Sequence, residues 1–176
     1  MVAEGTLNWW GVLAVAMVLV TAGVCWAGSL LQNHRACRPA SPEATQGRAA
    51  AFTWDDFFWA LGEVESGNND AAIGDGGWAA GRYQIHADYW RDAWRHRGSA
   101  EWSRDAESPS MARVTVLKYL DRHAPVAFAQ CDWRTLARVH NGGPHGDRKG
   151  ATRAYARKVL KAMQLARTLR QRGNTG

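Results

Sequence analysis

The stretch FTWDDFFWALGEVESGNN, residues 52–69, decides the fold of this chain. Thr53 is typical of a helix N-cap, because its hydroxyl accepts a hydrogen bond from a backbone amide of the first turn. Two aspartates follow, where the positive end of the helix dipole favours acidic side chains. Aromatic and aliphatic residues then recur at helical spacing. Gly67 and the two asparagines after it end the helix and leave Glu65 in its last turn.

The residues after this helix predict a mainly α domain, residues 52–170, with a small β element. Residues 68–82 hold six glycines and asparagines among short apolar residues, which predicts a loop with a small hairpin. Apolar spacing and capping residues then predict four more helices. These cover residues 87–96, 109 to about 120, 133 to about 139, and 151 to about 170, before a tail at 171–176.

The N-terminal part of the chain predicts a membrane anchor, residues 1–31, and a flexible linker, residues 32–51. Residues 7–31 are almost all apolar and carry no charge, and about 20 such residues cross the hydrocarbon core as a helix. The linker is rich in Ala, Pro, Arg and Ser and lacks apolar periodicity. No Lys or Arg precedes the apolar span and Val24 is too large before Cys25, so an uncleaved anchor is favoured over a cleaved signal.

Charge and cysteine usage limit the binding partners. The formal charge is +6, and much of the excess lies between Arg148 and Arg172. A basic surface suits anionic cell-wall polymers and nucleic acids equally, but no groove-reading motif accompanies it, so nucleic acid is not expected as a partner. The three cysteines do not have the spacing of a zinc site, and neither a metal nor a cofactor is expected. Cys37 and Cys131 either pair in an oxidising compartment or remain unpaired small apolar residues.

Glu65 is the candidate catalytic residue. Cleavage of a glycosidic bond needs a carboxylic acid that stays protonated near neutral pH and donates to the leaving oxygen. Poorly hydrated, apolar surroundings favour the protonated form, and Glu65 follows Leu61 and Val64 on a largely apolar helix. Glu63 lies two residues away, points to another face and is interpreted as a solvated surface carboxylate.

Four motifs that follow one another along the chain resemble the signature of lysozyme-like soluble lytic transglycosylases. They are Glu65-Ser66-Gly67-Asn68, Gly81-Arg82-Tyr83-Gln84-Ile85, Ala137-Arg138-Val139-His140-Asn141-Gly142-Gly143-Pro144, and Tyr155. Residues 83–93 also resemble the corresponding stretch of invertebrate-type lysozymes. The resemblance covers about residues 52–165 and implies a lysozyme-like fold with Glu65 as general acid and then base.

The same resemblance implies a sugar-binding cleft. Gln84 and Asn141 would line it, and Tyr155 would lie against Glu65. Trp78, in the glycine-rich loop, offers an indole face for a sugar ring. The candidate substrate-binding residues together are Ser66, Trp78, Tyr83, Gln84, His140, Asn141 and Tyr155. The chain departs from the transglycosylase pattern at Arg82 and His140 and lacks the cysteine framework of invertebrate-type lysozymes, which leaves the subfamily open.

A second carboxylate would separate two mechanisms. A retaining glycosidase places it about 5–5.5 Å from the acid and an inverting one about 6.5–9.5 Å. Asp75 lies close to where invertebrate-type lysozymes keep their second acid, and Asp70 is a weaker alternative. A lytic transglycosylase needs no such residue, because the 6-hydroxyl of the sugar attacks instead. Asp75 before Gly76 is equally typical of a turn.

The sequence therefore predicts an enzyme that cuts peptidoglycan between N-acetylmuramic acid and N-acetylglucosamine. The alternative is a lysozyme-like domain that binds the wall, or takes part in a virion or a secretion machine, without cutting. The expected location is a membrane facing the periplasm or another extracytoplasmic space, or a virion membrane. Arg35 and Arg38 follow the span with nothing basic before it, and this charge bias conflicts with that topology.

Overall fold

The computed structural model describes residues 51–95 and 101–173. The predicted anchor, nearly all of the predicted linker, and Cys37 lie outside these residues. Cys131 is disulfide-bonded. Within 51–95 and 101–173, no helix combines the length and the hydropathy that a membrane-spanning segment requires.

The described residues form a mainly helical domain with one small sheet. Two 3₁₀ turns, Asp75–Gly77 and Gly146–Arg148, accompany the longer elements. The helices are α1 (Trp54–Ser66), α2 (Ala87–Trp94), α3 (Trp102–Glu107), α4 (Pro109–His123), α5 (Pro125–Gln130), α6 (Trp133–Gly142) and α7 (Thr152–Gly173).

Both predicted ends of α1 are confirmed. The Thr53 hydroxyl accepts from the Asp56 amide at 3.2 Å, and the Asp56 carboxylate accepts from the Thr53 amide at 2.8 Å, so the two residues cap the helix reciprocally. At the other end Gly67 has a φ of 64°, the left-handed conformation that glycine adopts without strain. Glu65 therefore lies in the last turn of α1, one residue before the helix ends at Ser66.

The predicted hairpin is a three-stranded antiparallel sheet. Its strands are β1 (Ile73–Gly74), β2 (Ala79–Ala80) and β3 (Ile85–His86), in that order across the sheet. Gly74 pairs with Ala79, and Ala79 pairs with His86. This register brings the start of the 3₁₀ turn after β1 next to the end of β3.

The core lies where α1 packs against α7 and α7 packs against α6. Its largest fully buried side chains come from five different helices and from β3. They include Phe57, Leu61, Trp90, Leu120, Leu136 and Met163.

The helix predictions require correction at several points. The helices α3 and α5 were not predicted, since each has six residues and is too short to show periodicity. The helix predicted over 87–96 ends at Trp94, and Arg95 follows with a φ of 23°. The last helix continues three residues beyond Arg170, through Gly173, into the predicted tail.

Candidate active site

A cleft of about 470 Å³ brings together residues that are far apart in the sequence. The end of α1, the small sheet and the end of α6 each contribute to its walls. Its lining consists of Glu65, Asp75, Gln84, His86, Tyr89, His140, Asn141 and Gly143. Five of these, Glu65, Asp75, Gln84, His140 and Asn141, are residues that the sequence singled out. The lining is more polar than expected around Glu65, because α6 and the sheet contribute polar side chains.

Glu65 is held through one of its two carboxylate oxygens. The Tyr155 hydroxyl, from the first turns of α7, donates to Oε1 at 2.5 Å. His140 Nε2 lies 3.7 Å from the same oxygen. The Glu65 side chain is 19% exposed, and none of the described residues donates a hydrogen bond to Oε2. The geometry therefore fixes Oε1 and leaves Oε2 for a molecule in the cleft.

His140 is buried and holds its place through polar contacts. Its Nδ1 shares a hydrogen bond of 3.0 Å with the Tyr89 hydroxyl. Burial lowers the pKa of His140, although the charge of Glu65 and a hydrogen bond to the backbone of Tyr83 act in the opposite direction. The imidazole is therefore neutral near neutral pH.

The two tyrosines beside Glu65 keep their protons. Burial raises the pKa of Tyr155 well above its ordinary value, and the nearby charge of Glu65 adds to this effect. Burial also raises the pKa of Tyr89 well above its ordinary value, with the charges of neighbouring groups adding to it. Both phenols are consequently hydrogen-bond donors at and around neutral pH.

Asp75 supplies a second carboxylate to the cleft. It follows β1 with a φ of 47°, and its Oδ2 lies 3.0 Å from His86 Nε2. The pairing of β1 and β3 through β2 explains this contact. Both side chains are largely exposed, at 70% for Asp75 and 49% for His86, so they are accessible to a ligand.

Asp70, the weaker alternative, is held elsewhere. Arg82 binds it through two hydrogen bonds, from Nε to Oδ1 at 2.7 Å and from Nη2 to Oδ2 at 3.0 Å. Asp70 does not line the cleft. Arg82, which departs from the transglycosylase pattern, therefore organises the loop after α1.

None of the four remaining candidates lines the cleft, and one of them contacts Glu65. Tyr155 contacts Glu65 but does not line the cleft itself. Ser66 Oγ donates to the Arg82 carbonyl at 2.9 Å and accepts from the Asn69 amide, so it holds the loop. Tyr83 is 3% exposed and packs against Phe58, whereas Trp78 is 72% exposed and is not among the residues that line the cleft. The structure does not bring Ser66, Tyr83 or Trp78 into the site.

Sequence reasoning missed His86, Tyr89 and Gly143. Tyr89 lies within the stretch that resembles invertebrate-type lysozymes, but its role depends on how α2 packs beside α6. His86 lines the cleft because the register of the sheet places the end of β3 beside the turn that holds Asp75. Across the described ranges, no group of three His, Cys, Asp or Glu side chains is arranged to hold a metal ion.

Comparison with known proteins identifies relatives of the domain that holds this site. A protein-family model described as Destabilase matches residues 55–162. A lysozyme of Meretrix lusoria is 35% identical over 101 residues, covering 56% of this chain and 81% of that protein. Lysozyme 1 of Crassostrea virginica is 31% identical over 81 residues, 46% of this chain and 43% of that protein.

Solved structures agree with these matches. A chain of the crystal structure of Aeromonas hydrophila PliI in complex with Meretrix lusoria lysozyme superposes with a TM-score of 0.53 at 31% identity, covering 65% of this chain and 93% of that chain. A chain of the inhibitor-bound lysozyme from Meretrix lusoria gives 0.51 at 33% identity, covering 60% and 87%.

Proposed function

The chain belongs to the Destabilase family and is a lysozyme-type glycosidase, and we propose that it cuts the β-1,4 bond between N-acetylmuramic acid and N-acetylglucosamine in peptidoglycan. The observation that carries the proposal is the position of Glu65. Its carboxylate faces a cleft that also holds a second carboxylate, and one of its oxygens is fixed while the other is left for the substrate.

Glu65 acts as the general acid through Oε2. The proton passes from Oε2 to the glycosidic oxygen as the bond to the leaving sugar breaks. The Tyr155 hydroxyl stays on Oε1 throughout and stabilises the carboxylate that forms, and a hydrogen bond to a charged group contributes about 1.5–3 kcal/mol. The carboxylate then takes a proton from the attacking water and returns to its starting state.

His140 positions Glu65 rather than exchanging protons with the sugar. Because its ring is neutral and Tyr89 is a phenol that keeps its proton, the Tyr89 hydroxyl donates to Nδ1. The ring proton then lies on Nε2, which faces Glu65 Oε1. At 3.7 Å this contact is longer than a hydrogen bond, so Tyr155 donates to Oε1 while His140 packs beside it, and the two side chains together orient the carboxyl group in the cleft.

Asp75 is the second carboxylate, and the reaction is hydrolysis. Asp75 stabilises the positive charge that develops on the sugar ring, or binds the ring covalently, as the separation of the two carboxylates dictates. Gln84 and Asn141 present amide groups to the sugar. Gln84 is fixed for this purpose, because its Nε2 donates to the Gly81 carbonyl at 3.0 Å.

Replacement of Glu65 by Gln tests the proposal. The amide keeps the shape of the side chain but cannot donate the proton, so clearing of purified cell walls should fall by a factor of at least about 1,000. Glu63→Gln is the matched control, since Glu63 lies two residues away, is exposed, and binds Asn68. Equal clearing by Glu65→Gln and wild type would show that Glu65 is not the acid.

Product analysis distinguishes the remaining alternatives. Hydrolysis leaves a reducing end, whereas a lytic transglycosylase leaves an anhydro end that is lighter by one water, and mass spectrometry separates them. We expect reducing ends, and anhydro ends would assign Asp75 another role. A wild-type protein that sediments with walls but releases no sugar would instead be a non-catalytic wall-binding domain.

We also propose that residues 7–31 anchor the enzyme in a membrane, with the catalytic domain on the outer side. The support is the uncharged apolar run itself. The full chain should stay in the membrane fraction after extraction at alkaline pH, and protease added outside intact cells should reach the domain. Release into the supernatant would contradict the anchor, and protection from protease would contradict the orientation.

A further inference from the structure

A second cavity of about 500 Å³ adjoins the catalytic cleft. The two share the segment 139–144 as a wall. Val139 and Pro144 line the second cavity, whereas His140, Asn141 and Gly143 line the cleft. This short segment at the end of α6 therefore separates the second cavity from the cleft.

Small apolar side chains form much of the second cavity. The start of α5 contributes a run of Ala, Pro and Val, and Val139 and Pro144 add to it. Val126 is 67% exposed, an unusual position for a large aliphatic side chain in a folded domain. This wall suits a ligand with methyl groups and no bulky side chains.

The charged groups in the lining are not equally available. Arg122 and His123 are both bound to Asp92, and Asp132 caps α6 through Thr135. Arg148 and Asp147, adjacent in the 3₁₀ turn, differ from these: their side chains have neither an ion-pair partner nor a hydrogen bond in the part of the chain that the structure describes. The cavity therefore offers one cation and one anion beside an apolar wall.

We propose that this cavity binds the peptide stem of the peptidoglycan strand whose glycan lies in the cleft, an inference that rests on the proposed function. Every muramic acid residue of the glycan carries a short peptide. That peptide combines the methyl groups of alanine, free carboxylates and the ammonium of a diamino acid. The α5 wall receives the methyl groups, Arg148 pairs with a carboxylate, and Asp147 pairs with the ammonium.

The two sites are held in a fixed relation. His123 lines the second cavity, and its ring centroid lies 4.5 Å from that of Tyr119. Tyr119 in turn stacks on Tyr89, with 3.6 Å between the ring centroids. Tyr89 in turn binds His140 in the cleft. A glycan bound in the cleft holds its own stem close to the cavity, so the second contact is intramolecular and strengthens binding even if the peptide alone binds weakly.

A comparison of two substrates tests the proposal in the full chain. One is glycan strands with stems, and the other is the same strands after an amidase has removed them. For Arg148→Ala, the ratio of kcat/KM on intact strands to that on stripped strands should fall about tenfold, as expected for the loss of one charge-assisted hydrogen bond. Val126→Asp should lower the same ratio, and Arg157→Ala, exposed on α7, is the control. An unchanged ratio in both cavity variants would overturn the proposal.

A binding measurement separates this proposal from the catalytic one. The soluble peptide L-Ala-γ-D-Glu-L-Lys-D-Ala is titrated into the Glu65→Gln variant and followed by NMR. We expect saturable shifts at millimolar peptide that Arg148→Ala weakens. Absence of shifts overturns the peptide site. If the peptide binds but wild type cuts neither substrate, the proposed reaction has failed while the peptide site stands.

Discussion

The ion pair between Asp56 and Arg170 joins the start of α1 to the end of α7. Arg170 donates from Nε to Oδ1 at 3.0 Å and from Nη2 to Oδ2 at 2.8 Å. Asp56 is only 2% exposed, and its carboxylate also caps α1 through the Thr53 amide. Replacing Arg170 by Ala would leave this carboxylate buried without its charged partner.

The loss of unfolding free energy expected for Arg170→Ala depends on how much of the ion pair is buried. Removal of one partner from a fully buried ion pair costs about 3–5 kcal/mol. Here the Arg170 side chain is 32% exposed, and Thr53 still donates to Asp56 after the change. We therefore expect Arg170→Ala to lower the free energy of unfolding by about 2–3 kcal/mol at neutral pH.

Urea unfolding of the full chain measures this loss. With a slope of about 2 kcal/mol per M urea, the midpoint should fall by about 1 M. Lys161→Ala, exposed on the same helix, is the control and should change stability by less than about 0.5 kcal/mol. A loss below about 0.5 kcal/mol for Arg170→Ala would refute the reasoning.

The dependence on pH gives a second check with a defined sign. Burial alone raises the pKa of Asp56, but the hydrogen bonds from Arg170 and Thr53 outweigh it and hold that pKa below 3.8. The stabilisation is therefore complete above pH 3.8 and is lost as the pH falls through the lowered pKa. The difference between wild type and Arg170→Ala should shrink in the same interval. A difference that stays constant there would mean that the carboxylate does not carry the effect.

Three further predictions concern the site and its supports. Tyr155→Phe removes the hydroxyl that donates to Glu65 Oε1 but keeps the ring. The kcat on cell walls should therefore fall about 10- to 100-fold, and an unchanged kcat would show that the hydroxyl does not contribute to the reaction. Asp75→Asn should lower kcat at least about 100-fold with the melting temperature unchanged, because Asp75 is exposed; lost stability with activity kept would contradict this. A Cβ at Gly81, whose φ is +73°, would lie 1.9 Å from the Ala106 carbonyl oxygen, whereas one at Gly76, with φ +64°, meets nothing within 4 Å. Thermal denaturation should show Gly81→Ala losing more than about 2 kcal/mol and Gly76→Ala about 1 kcal/mol, and equal losses would show that contact with Ala106 is unimportant.

The elements that the sequence predicted best are those whose signals are local. Thr53 and Gly67 mark the ends of α1 because capping depends on residues within one turn of the cap. The helix α5 begins with Pro125, which is favourable at a first helical position, but six residues show no periodicity to support it. Its existence depends on packing against α4 and α6, which a local pattern does not encode.

The sequence motifs predicted which segments of the chain form the site, but not which side chains within each segment face the cleft. Tyr83 and Gln84 are neighbours in one motif, yet Gln84 lines the cleft and Tyr83 packs in the core. Likewise, Glu65 lines the cleft, whereas its neighbour Ser66 holds the loop after α1. Which neighbour faces the cleft depends on the path of the backbone, and Gln84 has a φ of 46° that no simple strand or helix periodicity anticipates.

The helices α1 and α7 run antiparallel and are joined at both ends, by Asp56 with Arg170 and by Glu65 with Tyr155. Under the proposed function the first link is structural and the second is catalytic, so the two variants should fail in different ways. Arg170→Ala shifts the fraction of folded molecules, and wall clearing should therefore fall only when urea approaches its lowered midpoint. Tyr155→Phe changes the folded enzyme itself and should clear walls slowly at every urea concentration. If Arg170→Ala were equally slow without urea, the ion pair would be setting the position of Tyr155 against Glu65, and the two ends of the helix pair would be mechanically coupled.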